Sequence, residues 1–224
     1  NDEVMMENDY QAYLKTLSAW KEKTALKKPK LFIVNTSGGG LRSALWTFSV
    51  LQKLDSLSEN QFSSQVQMIT GASGGMIGAA YYRDLLLDYQ NGELDDLSVS
   101  QFRENIGKDL LNSVVFAIST SDIFFRFQRV NHFGHSYLKD RGFAFEQNLI
   151  QNLDGKLNTQ LKDYIAAEQS STIPTMIFTP TIINDGRRLI ISSQGMSFLN
   201  KNEFNHAAAG IERVFENVDY QAFF

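Results

Sequence analysis

The stretches Leu31-Phe32-Ile33-Val34-Asn35-Thr36-Ser37-Gly38-Gly39-Gly40-Leu41-Arg42 and Val66-Gln67-Met68-Ile69-Thr70-Gly71-Ala72-Ser73-Gly74-Gly75 decide how this chain folds. Each runs from a short apolar segment into small residues and then into a helical pattern. The apolar run 31–34, bounded by Pro29 and Gly38, predicts a strand buried on both faces. After it, Leu45, Phe48, Leu51 and Leu54 recur at helical spacing, which predicts a helix over 41–57. A second strand over 66–70 turns at 71–75 into a stretch rich in Ala, Leu, Met and Tyr, predicting a helix over 76–89. Strands alternating with helices in this way imply an α/β fold with a parallel sheet, and ligands in such folds bind where strand C-termini feed into loops.

Working outward, Met6, Tyr10, Tyr13, Leu14, Leu17 and Trp20 stand three and four apart, so 4–26 predicts an amphipathic packing helix ending near Lys27-Lys28-Pro29. Residues 1–28 are therefore assigned to an N-terminal helix and 29–224 to the α/β domain. A helical insertion, or cap over the sheet, is expected at about 98–168, with helices at 143–153 and 157–168. Within it, 114–133 is loaded with Val114, Val115, Phe116, Ile118, Ile123, Phe124, Phe125, Phe127 and Phe133. Aromatic residues at helical spacing bury well, so this stretch is expected to be core; an acyl-chain pocket or a flap meeting a lipid surface is the second reading. Finally, 175–183 and 187–193 are β-type runs joined by Asn184-Asp185-Gly186, a hairpin signal.

The chain has 224 residues, 43% hydrophobic and 21% charged, enough apolar material for one substantial core. A net charge of -4 argues against nucleic acid as a partner, since phosphate neutralisation needs a basic face. The absence of cysteine removes disulfides, thiolate nucleophiles and Cys-based metal sites together. No apolar run approaches the ~20 residues a bilayer span needs, and the first residues are too acidic for a secretory signal. The chain starts at Asn1 and stops at Phe223-Phe224 without a polar tail, so it is expected to be part of a longer product.

Gly71-Ala72-Ser73-Gly74-Gly75 matches G-x-S-x-G at a strand-to-helix corner, the context that gives the pattern meaning. A turn sharp enough to push the Ser73 side chain over the sheet edge needs small neighbours. The amides of Gly74 and Gly75, at a helix start, are unpaired and sit at the positive end of the macrodipole. At the earlier corner, Gly38, Gly39 and Gly40 can turn their amides into one anion-binding nest. Alone, either corner could be a packing turn. Together they place two nests at neighbouring strand ends. A nucleotide-phosphate site is disfavoured, because no GK[ST] follows and Ser43 stands where G-x-G-x-x-G requires its last glycine. Arg42 is read either as a solvated arginine or as a group that holds the loop or meets a substrate phosphate.

Ser-Gly-Gly-Gly-Leu-Arg at 37–42 followed by Gly-Ala-Ser-Gly-Gly at 71–75 resembles the motif pair of patatin-like phospholipases and their cytosolic phospholipase relatives. The resemblance extends from Leu31 to Thr179-Pro180-Thr181 and Arg187-Arg188 and is carried most by 31–82. It implies a patatin-like three-layer α/β/α architecture with a mainly parallel central sheet, incomplete at the C-terminus. It further implies Ser73 as nucleophile, the amides of Gly38, Gly39 and Gly40 as oxyanion hole, and Arg42 in the place of the family's arginine; Gly74 is added here on physical grounds. The substrate implied is a phospholipid or another acyl ester, with peripheral membrane contact, a cytoplasmic or peripheral membrane location, and no cofactor. The family completes a Ser-Asp dyad with an Asp-Gly-Gly or Asp-Gly-Ala motif that this sequence lacks. Asp154-Gly155-Lys156 and Asp185-Gly186-Arg187 both read as turns, so the general base is expected beyond Phe224.

Three further readings stand beside this one. A Ser-His-Asp triad would draw on His132, His135 or His206, which read more naturally as interhelix polar contacts and a helix start. The H-x-x-H pair at His132 and His135 has no accompanying Glu or Cys, and no metal is assigned to it. A non-catalytic relative would keep the fold as a lipid-binding module or scaffold.

Overall fold

The computed structural model describes residues 2–124, 127–132, 134–184, 186–199 and 218–219. In chain order the elements are α1 (Asp2–Lys23), β1 (Phe32–Thr36), α2 (Gly40–Leu57), α3 (Gln61–Gln65), β2 (Val66–Gly71), α4 (Ser73–Asn91), α5 (Ser100–Gly107), α6 (Leu111–Ser119), α7 (Ser121–Phe124), β3 (Arg129–His132), β4 (His135–Leu138), α8 (Arg141–Asn152), α9 (Ile165–Gln169), β5 (Thr175–Phe178), β6 (Leu189–Ser192) and β7 (Val218–Asp219). They divide into two compact units, one of residues 1–98 with 159–224 and the other of residues 99–158.

The first unit is built on a mixed, mostly parallel sheet of order β1-β2-β5-β6-β7. β1, β2 and β5 run parallel; β5 and β6 pair antiparallel, with a further bridge between Thr181 and Arg188 across the connection; β6 and β7 are parallel again. The register pairs Thr36 with Gly71 and Gly71 with Phe178, so the three parallel strands end level with one another. Both glycine corners leave from that level. Where the connection turns, Gly186 takes a φ of 76°, and Asp185 lies outside the described residues.

The sequence leads one to expect β1 to be buried on both faces. It is instead the edge strand of the sheet, with Leu31, Phe32 and Ile33 exposed and Ile33 57% accessible. An edge strand has one neighbour, and its apolar run is only partly covered; the Phe32 ring meets Phe62 of α3 at 5.5 Å between centroids.

α2 and α4 pack backbone to backbone. A Cβ on Gly74 would run into the Gly40 carbonyl, one on Gly75 into the Ser37 carbonyl, and one on Gly78 into the Ala44 carbonyl. The absence of side chains at 74, 75 and 78 lets the helices approach this closely, which outweighs the roughly 1 kcal/mol that a glycine costs inside a helix. Phe48 of α2 stacks on Tyr81 of α4 at 5.0 Å, and both are almost fully buried. Tyr82 donates to Asp55 at 2.6 Å, and Asp55 also accepts the Ser63 amide, tying α2, α3 and α4 together. α1 is fixed by Tyr13 donating to Gln67 on β2 at 2.7 Å, by Lys23 donating to the Ser171 carbonyl at 2.8 Å, and by burial of Trp20.

The second unit pairs α6 with α8 and carries the antiparallel hairpin β3–β4. Asp140 caps α8 by accepting from the amides of Gly142 and Phe143. The sequence suggests helices throughout this region and does not anticipate the hairpin, in which His132 and His135 form the last pair before the turn. The expectation that 114–133 is core is also overturned: Val115, Phe116, Ile118, Ile123, Phe124 and Phe127 are exposed, Phe127 to 89%. α6 is nine residues long, packs against α8 and α7, and buries Ala117, while Val115, Phe116 and Ile118 stay exposed among the described residues. Phe125 and Phe133 lie outside the described residues.

Candidate active site

Ser73 stands at the corner between β2 and α4, exposed, with a φ of 61°. The left-handed region costs a non-glycine residue about 1–2 kcal/mol. Among the described residues, the other non-glycine positions with positive φ lie at turns and helix ends: Ala25, Glu59, Asn60, Asp154, Leu157 and Ser171. Ser73 opens a nineteen-residue helix instead. Its strain is supported by the packing beneath it, since the residues that follow, Gly74 and Gly75, are locked against the Gly40 and Ser37 carbonyls.

The glycine loop reaches the same spot. A Cβ placed on Gly38 would lie 3.3 Å from the Ser73 Cβ and 3.4 Å from its Oγ, so the Gly38 backbone borders the hydroxyl directly. Gly39 (φ 146°) and Gly40 (φ 61°) take conformations that L side chains rarely adopt, and Gly39 is the N-cap of α2. Neither Gly39 at the start of α2 nor Ala72 at the start of α4 supplies a side-chain cap, so the first-turn amides of two helices begin beside one another without one. The structure therefore brings Ser73, Gly38, Gly40 and Gly74 together. Arg42 is exposed in the first turn of α2. A cation there opposes the helix dipole, so its placement does not serve helix stability.

Ser43, which breaks the G-x-G-x-x-G pattern, has a structural part that no motif signals. Its Oγ donates to the Ser37 carbonyl at 2.8 Å, closing the loop 37–43 on itself at the foot of α2. A serine six residues beyond Ser37, just after the triple glycine, is the only trace of this tie in the sequence.

Among the described residues, none is hydrogen-bonded to the Ser73 Oγ, and none of the His, Asp and Glu side chains gather in groups of three or more that could hold a metal ion. Asp154 lies in the turn after α8 in the second unit, where its carboxylate accepts from Asn105 at 2.6 Å. His135 is exposed on the hairpin of that unit. His206 and Asp185 lie outside the described residues. A cavity of about 510 Å³ in the second unit is lined by Arg129, Tyr137, Leu138, Asp140, Phe143 and Glu146 among others, and Ser73 is not part of it.

An exposed serine on a strained β-to-α corner thus stands next to a glycine-rich loop at the end of the neighbouring parallel strand, in an α/β architecture with a mostly parallel sheet. No protein-family profile matches the chain, and no curated protein matches it. Among solved structures the chain is similar to human GIVD cytosolic phospholipase A2 in complex with methyl gamma-linolenyl fluorophosphonate, at 16% identity and a TM-score of 0.43. That similarity covers 86% of this chain and 27% of the phospholipase, so the chain spans about a quarter of that protein's length. Among the described residues no helix is long and apolar enough to cross a membrane.

Proposed function

We propose that the chain carries the nucleophile and oxyanion-binding half of a serine acyl hydrolase acting on lipid esters. The observation that carries this reading is the Ser73 hydroxyl, held at φ 61° and bordered by the Gly38 backbone. In the proposed reaction Ser73 Oγ attacks the ester carbonyl and a carboxylate takes its proton. Peptide N–H groups of Gly38, Gly39, Gly40 and Gly74 hold the tetrahedral oxyanion, the C–O bond to the alcohol breaks, and water releases the acyl-enzyme. An aspartate is a weak base, with a reference pKa near 3.9, so much of the acceleration rests on the donors, each worth about 3 kcal/mol. That division suits an ester better than an amide. Arg42, a cation standing at the wrong end of its helix for stability, is assigned to an anionic group of the substrate such as a phosphate.

The test is labelling with a fluorophosphonate probe and peptide mapping. Modification is expected at Ser73; folded protein that stays unlabelled, with p-nitrophenyl ester hydrolysis unchanged in Ser73→Ala, would refute the reading. A smaller effect is expected at Ser43. Ser43→Ala removes one hydrogen bond, worth about 1 kcal/mol, from the loop that presents the proposed donors. Turnover should fall about 5-fold with KM little changed, because the loop loses its fixed shape while the substrate's other contacts remain.

A further inference from the structure

The second unit presents an apolar surface that its own packing does not use. From Leu110 to Phe125 the sequence holds one charged residue, Asp122. On the described part of this stretch Leu111 is 63% exposed, Val115 59%, Phe116 69%, Ile123 59% and Phe124 72%. The opposite side of α6 is already committed: Ala117 is buried, and Ser113 Oγ accepts from Asn148 of α8 at 3.0 Å. The outward side chains are therefore not a core awaiting a small rearrangement. Next along the chain, the hairpin adds exposed Tyr137 and Leu138. It also adds exposed cations at Arg129 and Lys139, in a chain whose overall charge is -4. Of the carboxylates nearby, Asp140 is engaged with the first amides of α8, and Glu146 borders the same cavity as Arg129. Large exposed apolar side chains followed along the chain by exposed cations have the composition of an interfacial surface, where rings enter the acyl boundary and Lys and Arg meet headgroup phosphates.

We infer that α6, α7 and the β3–β4 hairpin dock on an anionic lipid bilayer, with Phe116, Ile123, Phe124 and Phe127 entering the interface and Arg129 and Lys139 meeting its phosphates. The choice of a bilayer over a protein partner rests on the lipid-ester reading; the exposed rings and the exposed cations stand independently of it. Exposed large apolar side chains grouped along one stretch mark interaction sites, and the exposed cations beyond them select a negatively charged one.

The test uses the full chain as Ser73→Ala, so that vesicles stay intact, in flotation against phosphatidylcholine vesicles with and without phosphatidylserine. Binding is expected on the mixed vesicles and should weaken as salt is raised. Phe116→Ser with Phe124→Ser should lower affinity about 100-fold. Arg129→Gln with Lys139→Gln should lower it about 30-fold on anionic vesicles and hardly at all on neutral ones. Should the double Phe variant fail to fold, Phe116→Trp decides instead, and its emission must shift to the blue on adding vesicles. Unchanged binding in the Phe variant, no binding by the parent, or a concentration-dependent dimer that the Phe substitutions abolish would overturn the inference; the last outcome would make a second copy the occupant. Soluble p-nitrophenyl ester hydrolysis, measured with Ser73 intact, separates the two claims. Loss of vesicle binding with ester turnover retained removes only the docking surface, and the reverse removes only the enzyme.

Discussion

On the proposed mechanism, Ser73→Ala is expected to lower ester turnover by about 10⁴-fold or more, because the acyl-enzyme route would close and only the proposed donors and binding would remain. The left-handed backbone at this position supplies a second, independent readout. Alanine keeps the strain that serine carries, so Ser73→Ala should melt close to the parent. Ser73→Gly relieves a penalty of about 1–2 kcal/mol and adds about 0.5–1 kcal/mol of unfolded-state entropy. The glycine variant is thus expected to be inactive yet more stable by up to about 1 kcal/mol, a rise of about 2–4 °C in Tm. Activity falling while stability rises at one residue is what a strained nucleophile predicts and what an ordinary packing corner does not. Thermal melts alongside p-nitrophenyl ester assays decide the matter; a glycine variant that melts well below the parent would contradict it.

The second large effect lies in the core. Arg83 of α4 and Glu168 of α9 form an ion pair at 3% and 1% exposure. The remaining oxygen of Glu168 accepts from Ser193 and, at 3.2 Å, from Gln194, whose own Oε1 accepts the Thr16 hydroxyl of α1. The guanidinium also lies 4.5 Å above the Tyr164 ring, whose hydroxyl donates to Asp84 at 2.7 Å. Burial, reinforced by the Asp84 charge, holds that hydroxyl in its protonated form far above the usual tyrosine range. Glu168→Ala removes the counter-charge of buried Arg83, leaving it the Pro174 carbonyl at 3.4 Å and the Tyr164 ring, and is expected to cost about 3–5 kcal/mol, or about 10 °C or more in Tm. Arg83→Met combined with Glu168→Leu should be less damaging than either single loss of charge, since the cost comes from the orphaned ion rather than from the missing pair. Urea unfolding of the four proteins measures it.

The corners were legible in the sequence because their chemistry is local. A strand that turns within two or three residues into a helix needs glycine where φ is positive, and Gly39, Gly40 and Gly71 stand at such positions. The helix after the first corner is equally plain from its apolar spacing, and the one after the second from its helix-forming composition. What failed to show depends on neighbours distant in sequence. Nothing in the run Leu31-Phe32-Ile33-Val34 distinguishes an edge strand from a central one. The hairpin of 129–138 has strands of four residues with mixed polarity, too short for alternation to stand out. The Arg83–Glu168 pair was hidden because charged residues on helices ordinarily face solvent. The Phe-rich stretch departs for the opposite reason: aromatic residues signal burial, and short helices such as α6 and α7 leave most of them uncovered. Gly78, a glycine inside a strong helix-forming stretch, is the sequence mark of a close neighbour, which is the Ala44 carbonyl.

The seam between the second and fourth helices has a mechanical corollary. Where peptide groups touch peptide groups, no rotamer lies between them to absorb movement. The spacing from attacking oxygen to the proposed amide donors is then fixed by main-chain stiffness and does not vary as side chains hop among their wells. The Ser73 hydroxyl and the amides proposed to receive the developing charge ride on one chassis, and a push on either helix displaces them in concert.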